Sequence, residues 1–274
     1  MSGITGASSD KYIFTGGQRE QYTKGRLEAS DIDASSPFPT FHKARTGHGV
    51  PAAEREREAK AAGVTADAVC LSTAALPSGR VSSRMVLLKE LDRTGFVIYS
   101  NFGTSRKSAD LATNQQAYVH RLWFFLDLND GTTPAQLTFA CRSLCFWYEG
   151  MERSVRVEGT TERLTDAESQ VYFDTRPVGS RIGAWASPQS SVIHDRDELD
   201  HRVQEVRATF QVGEDDQTHT KIPVPSFWGG LRIVPQRVEF WSGRNNRLHD
   251  RLVMTRQAGG QGDGAKWELE RLAP

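Results

Sequence analysis

The sequence predicts a mainly β chain, a β-barrel or closed sheet with α-helices at its periphery. Two observations carry this. From Val69 onward, short runs rich in β-branched and aromatic residues alternate with turn-forming residues. Counting along the chain gives six or seven strands against three or four short helices, a ratio that suits a closed sheet better than alternating βα units.

The elements follow in chain order. Residues 1–63 are polar and rich in Ser, Gly, Ala and charge, so they are expected to form a mobile arm with one short helix and PFPTFHK as its apolar anchor. Residues 64–274 form the main domain. VCLSTAAL, a Pro77-Ser78-Gly79 turn, RVSSRMVLLKEL, a turn at Asp92 to Gly95, and FVIYS make an antiparallel meander. Thr104 to Asn114 reads as a short helix with Thr104 as its N-cap. LCFWYEG and SVRVEGTTERL form two strands around a turn at Glu149 to Glu152. Thr165 and Glu168 make a capping box that opens a helix through Tyr172. Ser187-Pro188 is placed as an N-cap and first helical residue, with Leu199, Val203, Val206 and Phe210 on one helical face. LRIVPQRVEFW alternates again, and LVMTRQ pairs with KWELERL across the loop AGGQGDG.

Composition excludes several classes. Among 274 residues, 34 Lys plus Arg balance 34 Asp plus Glu, so no global field holds the chain on nucleic acid or an anionic membrane. Any bound anion must be gripped locally. Cys70, Cys141 and Cys145 are too few and too irregular for a disulfide framework and are expected as small buried thiols in a reducing compartment. The histidines are scattered, and no metal is expected. No apolar stretch has signal-peptide or membrane-spanning length, so a cytoplasmic protein is expected.

Four clusters carry chemistry. Ser105-Arg106-Lys107 places two cations in the first turn of a helix, where the macrodipole is already positive. An anion such as phosphate belongs there; a solvated pair at a frayed end is the plain alternative. Arg84 and Lys89 end the strand RMVLLK at odd separation, so alternation sends them to opposite faces, to serve two anions or none. Tyr172, Arg176 and Ser180 supply a phenol, a guanidinium and a hydroxyl where a helix meets a turn, a second set of phosphate-sized donors. Gln189 and Ser190 could offer polar groups to a flat ring. Finally, Arg247, His249 and Arg251 in RNNRLHDR alternate just after Phe240-Trp241, and an extended backbone would put them on one face.

In this order, RMVLLKELD, FVIYSNFGTSRK, RVEG, YFDTRPVGSRIGAWASPQS, FWGGLRIVP, EFWSGRNNRLHDR and the terminal RLAP resemble the pyridoxamine 5'-phosphate oxidase family, in a fungal-like form. The likeness covers about residues 65–117 and 143–274, and REQYTKGRL is similar to the family's N-terminal segment. The resemblance implies a split β-barrel homodimer with FMN between subunits and 228–274 as the dimerisation and substrate region. It implies that Arg84, Met85, Val86, Leu87, Leu88, Lys89, Tyr99, Ser100, Arg106, Lys107, Gln189, Ser190, Trp241 and Arg251 contact FMN. Substrate would fall to Lys89, Tyr172, Arg176, Ser180, Arg247, Leu248 and His249, with Arg247 and His249 at the reacting pyridine ring and Arg19 and Tyr22 on a closing arm. The implied reaction oxidises pyridoxamine or pyridoxine 5'-phosphate to pyridoxal 5'-phosphate, with dioxygen reduced to hydrogen peroxide.

Three departures stand out. Ser154 replaces a Gln that touches the flavin, and Val178 replaces a basic residue. Between NQQA and SLCFWYEG, which the family makes nearly contiguous, lies an atypical insertion, Tyr118 to Arg142 (YVHRLWFFLDLNDGTTPAQLTFACR). We read it as a retained intron that keeps frame; ARTGHGVPAAERE, which interrupts the first helix, could share that origin. The rival readings are another split-barrel flavin reductase, disfavoured by RLHDR with the Tyr172, Arg176 and Ser180 set, and a non-catalytic binder of FMN or pyridoxal phosphate, including a splice-damaged product.

Overall fold

The structure, a computed structural model, describes residues 4–8, 11–14, 22–23, 25–46, 67–113, 142–148, 151–213, 221–257 and 265–274. Arg19, Asn114, the turn residues Glu149 and Gly150, and the insertion apart from the backbone of Arg142 lie outside the described residues.

A hairpin of β1 (Ile4–Ser8) and β2 (Lys11–Phe14) stands apart from the main sheet. That sheet has eight strands: β3 (Ala68–Ala75), β4 (Arg80–Leu91), β5 (Phe96–Asn101), β6 (Arg142–Tyr148), β7 (Arg153–Arg163), β8 (Trp228–Ser242), β9 (Asp250–Arg256) and β10 (Trp267–Leu272). Their order is β10-β9-β8-β5-β4-β3-β6-β7, and a further β7–β8 pairing closes six of them into a barrel. The closing strand is β8. Its first half pairs with β5 and its second with β9, while β7 runs along its other edge. Gly159 permits the close approach of β7 at the bulge that Gln236 makes in β8, since a Cβ there would lie 2.1 Å from the Val234 carbonyl oxygen.

Alternation fills the barrel. Val69, Leu71, Phe96, Ile98, Leu144, Phe146, Val155, Val157 and Val238 are buried on the inner faces. The apolar anchor expected in PFPTFHK lies among them: α1 (Pro37–Thr46) sends Phe41 edge-on against Phe96 and Phe146, and Leu27 and Ile32 join the same core. Residues 25–46 are therefore docked on the barrel. Full burial of one such side chain contributes about 1.5–3 kcal/mol.

Four other α-helices are described: α2 (Arg106–Thr113), α3 (Asp166–Thr175), α4 (Val178–Ala186) and α5 (Arg196–Phe210). Helices α3 to α5 and the segment leading into β8 enclose a second core of Phe173, Ile182, Val212, Ile222 and Trp228. Val178 packs against it, which gives an apolar residue a role at that position.

Several expectations need correction. Ten strands and five α-helices are described, more than the sequence count: the main sheet alone has eight strands, the polar N-terminus adds a two-stranded hairpin, and VGSRIGAWA forms its own helix. Ser105, not Thr104, caps α2: its hydroxyl accepts from the Ser108 amide at 3.2 Å, while Asn101 Oδ1 captures the amides of Gly103 and Thr104. Ser187-Pro188 opens no helix. Ser187 ends α4, Ser190 is left-handed (φ 71°), and the next helix, α5, starts only at Arg196 under Asp195, whose carboxylate accepts from the Glu198 amide. Cys145 is exposed and Cys70 half-buried. The Thr165–Glu168 capping box forms as read.

Candidate active site

The strand β4 presents alternate residues to opposite sides, with Ser82, Arg84, Val86 and Leu88 turned inward and Val81, Ser83, Met85 and Leu87 outward. Arg84 therefore faces the end of the barrel on which α2 rests, while Lys89, of opposite parity, pairs with Asp67 at 2.6 Å. At the α2 start Arg84 donates to the Leu71 carbonyl, Thr73 Oγ1 and Ser82 Oγ at 3.1, 2.8 and 2.6 Å. Below it lies Asp110, which the sequence reading missed. This buried carboxylate accepts from Thr73 (2.6 Å), Ser82 (2.7 Å) and Arg106 Nε (3.1 Å), and lies 3.7 Å from Arg84 Nη2.

The segment after α4 folds back onto the same helix start. Lys107 Nζ donates to Gln189 Oε1 at 2.5 Å, and the Arg106 amide donates to Ser190 Oγ at 3.1 Å. Arg84, Arg106, Lys107, Gln189 and Ser190, widely spaced in sequence, are thus one cluster. Burial, and then Arg84, lower the Lys107 pKa to about 8. Burial would raise the Asp110 pKa, but the Thr73 and Ser82 hydroxyls and Arg106 outweigh it and hold the carboxyl below its usual value. Two arginines on one carboxylate, with Lys107 close enough to Arg84 to feel its charge, leave an excess of positive charge at a helix N-terminus, an arrangement suited to a phosphate monoester.

A second cationic group lies beyond β5. Tyr99 of β5 stacks on Tyr172 of α3 at 4.0 Å between centroids, and both run nearly parallel to Trp228. The Arg176 guanidinium sits 4.7 Å from the Trp228 ring, with Nη1 buried and without a hydrogen-bond partner. Desolvation lowers the Arg176 pKa, partly offset by Tyr172. An anion arriving here would satisfy that orphaned donor. Ser180 is exposed one turn into α4, and no bond ties Lys89 to this group among the described residues. Tyr99 Oη donates to Glu90 Oε1 at 2.7 Å. Ser100, next along β5, pairs with Gly229.

The third group surrounds the end of β8. The rings of Trp241 and His249 lie 4.6 Å apart, and Tyr22 meets both edge-on at 5.7 and 5.6 Å. Gly243 makes the approach of Tyr22 possible, because a Cβ there would come within 2.5 Å of the tyrosine ring. Ser154 is directly opposite Trp241. Arg251 grips Glu239 with Nε and Nη2 at 2.9 and 3.1 Å, and its Nη1 donates to the Ala273 carbonyl. His249 Nδ1 accepts from the Arg244 amide at 3.1 Å, so the neutral ring carries its proton on Nε2. Burial, and then Arg247, lower the His249 pKa. The extended run expected through Arg247 is absent: Asn245–Arg247 is a 3-10 turn with Asn246 and Arg247 left-handed (φ 56° and 62°), leaving Arg247 and Leu248 exposed. Paired Asn residues favour this turn over continued alternation.

Comparison with known proteins decides the family. The pyridoxamine 5'-phosphate oxidase family model matches residues 56–210, and that of the pyridoxine 5'-phosphate oxidase C-terminal dimerisation region matches residues 228–274. The chain belongs to the pyridoxamine 5'-phosphate oxidase family. A probable pyridoxamine 5'-phosphate oxidase of Schizosaccharomyces pombe is 43% identical over all of both chains. The pyridoxamine 5'-phosphate oxidase of Saccharomyces cerevisiae is 46% identical over 76% of each. Among solved structures, PhzG from Burkholderia lata, in complex with tetrahydrophenazine-1-carboxylic acid, superposes with a TM-score of 0.64 at 22% identity, covering 91% of this chain and 98% of that one. A pyridoxamine 5'-phosphate oxidase-related, FMN-binding protein from Nostoc punctiforme gives 0.50 at 16% identity, covering 82% and 100%. These likenesses show that this oxidase-family chain has the split-barrel fold.

Besides Asp110, sequence reasoning missed Trp228 and Glu239 as the supports of Arg176 and Arg251. The FWGG and VEFW strings held these residues, but nothing in their spacing reveals which cation each one meets.

Proposed function

We propose that this chain is an FMN-dependent oxidase that converts pyridoxamine and pyridoxine 5'-phosphate to pyridoxal 5'-phosphate in the cytoplasm, as a homodimer, with dioxygen reduced to hydrogen peroxide. One observation carries the reading: two separate cationic groups, each suited to a phosphate ester, with Arg84, Arg106 and Lys107 at the start of α2 and Arg176 against the aromatic stack of Tyr99, Tyr172 and Trp228. Family membership and the names of the relatives support the substrate class, and the family's C-terminal dimerisation region supports the dimer.

The residues present fit the flavin mononucleotide. Arg84, Arg106 and Lys107 would hold its phosphate, since Asp110 grips Arg106 through Nε and leaves both terminal nitrogens available. Gln189 and Ser190, bonded to the same helix start, would follow the chain toward the ring. Val86 and Leu88 turn their side chains into the barrel, so their contacts would come from backbone, while Met85 and Leu87 face outward. Trp241 and Arg251 would border the ring, with Ser154 making a shorter contact than Gln would. When bound, the flavin supplies the two-electron acceptor for a hydride from the substrate carbon.

The chain supplies binding and orientation. Arg176, 4.7 Å from the Trp228 ring, would take the substrate phosphate with Tyr172, Ser180 and Lys89. His249, kept neutral by burial and Arg247, would donate from Nε2 to an electron-rich oxygen on the pyridine ring. Arg247 would add positive charge beside it, and Tyr22 with Arg19 would cover the ring and exclude water.

Turnover tests the proposal. Purified chain supplied with FMN and pyridoxine 5'-phosphate should generate aldehyde absorbance and consume oxygen. A change in flavin fluorescence without product would instead establish a binding protein, and turnover only with a different acceptor would establish a reductase.

A further inference from the structure

The strands β3 and β6 are adjacent and antiparallel, and their register sets Cys70 directly opposite Cys145. Their neighbours Leu71 and Leu144 are buried in the barrel, so alternation turns both thiols to the outer face. Both are free. Directly opposed residues of an antiparallel pair have Cα atoms about 4.5–5.5 Å apart. That span falls within the roughly 4.4–6.8 Å that a disulfide accepts. Packing around the Cys145 sulfur, and then the charge of Cys70, raise the Cys145 pKa, so the two thiols sense each other.

The location adds chemistry. On β6, Trp147 lies two residues beyond Cys145, on the same face, and its ring is 6.0 Å from that of Trp241. Across the next strand pair, Cys145 faces Arg156. The dithiol is thus on the outer wall that carries Trp241 and Ser154, the residues that the proposed function sets beside the flavin ring.

We propose that Cys70 and Cys145 form an oxidisable dithiol that closes into a cross-strand disulfide by reducing hydrogen peroxide. The source of the peroxide rests on the oxidase reading given above; the bond itself does not. The sulfur of Cys145, the more exposed of the two residues, attacks one peroxide oxygen, forming an S–O bond as the O–O bond breaks, and the departing hydroxide takes a proton to leave as water. The Cys70 sulfur then displaces the sulfenic hydroxyl, which leaves as a second water with the Cys70 proton. Two thiols lose two electrons and two protons, and one peroxide becomes two waters. Because thiolate is scarce at a raised pKa, closure is slow and records sustained exposure rather than single turnovers. The bond ties β3 to β6 and closes a loop containing the whole interposed chain, including the 118–142 insertion.

The test uses the full chain carrying Cys141→Ser, so that only these two thiols remain. After hydrogen peroxide treatment, intact mass should fall by two hydrogens, both thiols should resist alkylation, and peptide mapping should link the Cys70 and Cys145 peptides. Dithiothreitol should reverse all three. Sulfinic acid on either cysteine without a linked peptide, or a bond joining two subunits, would overturn the proposal, and Cys70→Ser should abolish the link. Turnover with pyridoxine 5'-phosphate then replaces added peroxide. A link that catalase prevents ties the dithiol to the oxidase reaction. Closure with added peroxide but none during verified turnover overturns that coupling, and absent turnover indicts the oxidase reading alone.

Discussion

Asp110 accepts a hydrogen bond from Nε of Arg106 at 3.1 Å, one helical turn away, and the carboxylate doing so is buried. A negative charge inside an anion cradle looks self-defeating until its geometry is considered. Arg84 and Arg106 repel each other, and Asp110 is paired with both, with Thr73 and Ser82 donating to its Oδ2. Asp110→Asn should therefore weaken FMN binding by about tenfold or more, the scale of one misplaced charge-assisted contact at roughly 1.5–3 kcal/mol. Riboflavin, which lacks the phosphate, should bind both forms equally by flavin fluorescence. If FMN binds the variant as tightly or more tightly, the carboxylate acts only as a counter-charge.

Lys107 gives that cradle a pH dependence of definite sign. Its pKa is lowered to about 8, so the ammonium is mostly charged at neutral pH and is lost as pH rises through that value. A bound phosphate favours the charged form and raises the pKa. FMN affinity should fall as pH rises above about 8, and Lys107→Arg, which keeps its charge, should flatten the fall. Equal slopes in the two proteins by equilibrium titration would remove Lys107 from the phosphate site.

How much of this was legible in the sequence depends on the range of the interaction. The meander and the Thr165–Glu168 box are local patterns, and each formed where it was read. Asp110 was missed because Arg106 and Asp110 look like an ordinary solvated i,i+4 pair. Only the arrival of Thr73 and Ser82 from β3 and β4 buries it. The cap of α2 moved by one residue for a similar reason: Thr104 and Ser105 are both competent caps, and the Asn101 side chain takes the Thr104 amide. At Ser187-Pro188 the cap signature was present, yet the left-handed Ser190 lets the chain return to α2 instead of starting a helix.

Arg176 and Trp228 make a prediction in two parts. Arg176→Ala should raise KM for the phosphorylated substrate by about 1.5–3 kcal/mol through loss of a charge-assisted contact, with FMN affinity unchanged. Trp228→Leu removes the ring on which the guanidinium lies, so it should raise KM in the same direction but less. Because Trp228 is also buried in the second core, its thermal stability must be measured beside its kinetics. An unchanged KM in Arg176→Ala would reject the assignment.

His249 should set an acid limb below the usual histidine range. Its Nδ1 accepts the Arg244 amide, so protonation there must break that bond, and burial together with Arg247 already disfavours the cation. The ring is neutral above its lowered pKa; as pH falls through that pKa, the neutral form and the stability linked to it are lost. The limb of kcat/KM should accordingly lie below about 6.5, the ordinary value. Removing Arg247 takes away one of the two causes, so Arg247→Ala should move the His249 titration upward. NMR titration of the ring in the folded protein, with and without that substitution, measures the shift directly. A ring titrating at 6.5 or above in the parent, or moving downward in the variant, would contradict the arrangement at this end of β8.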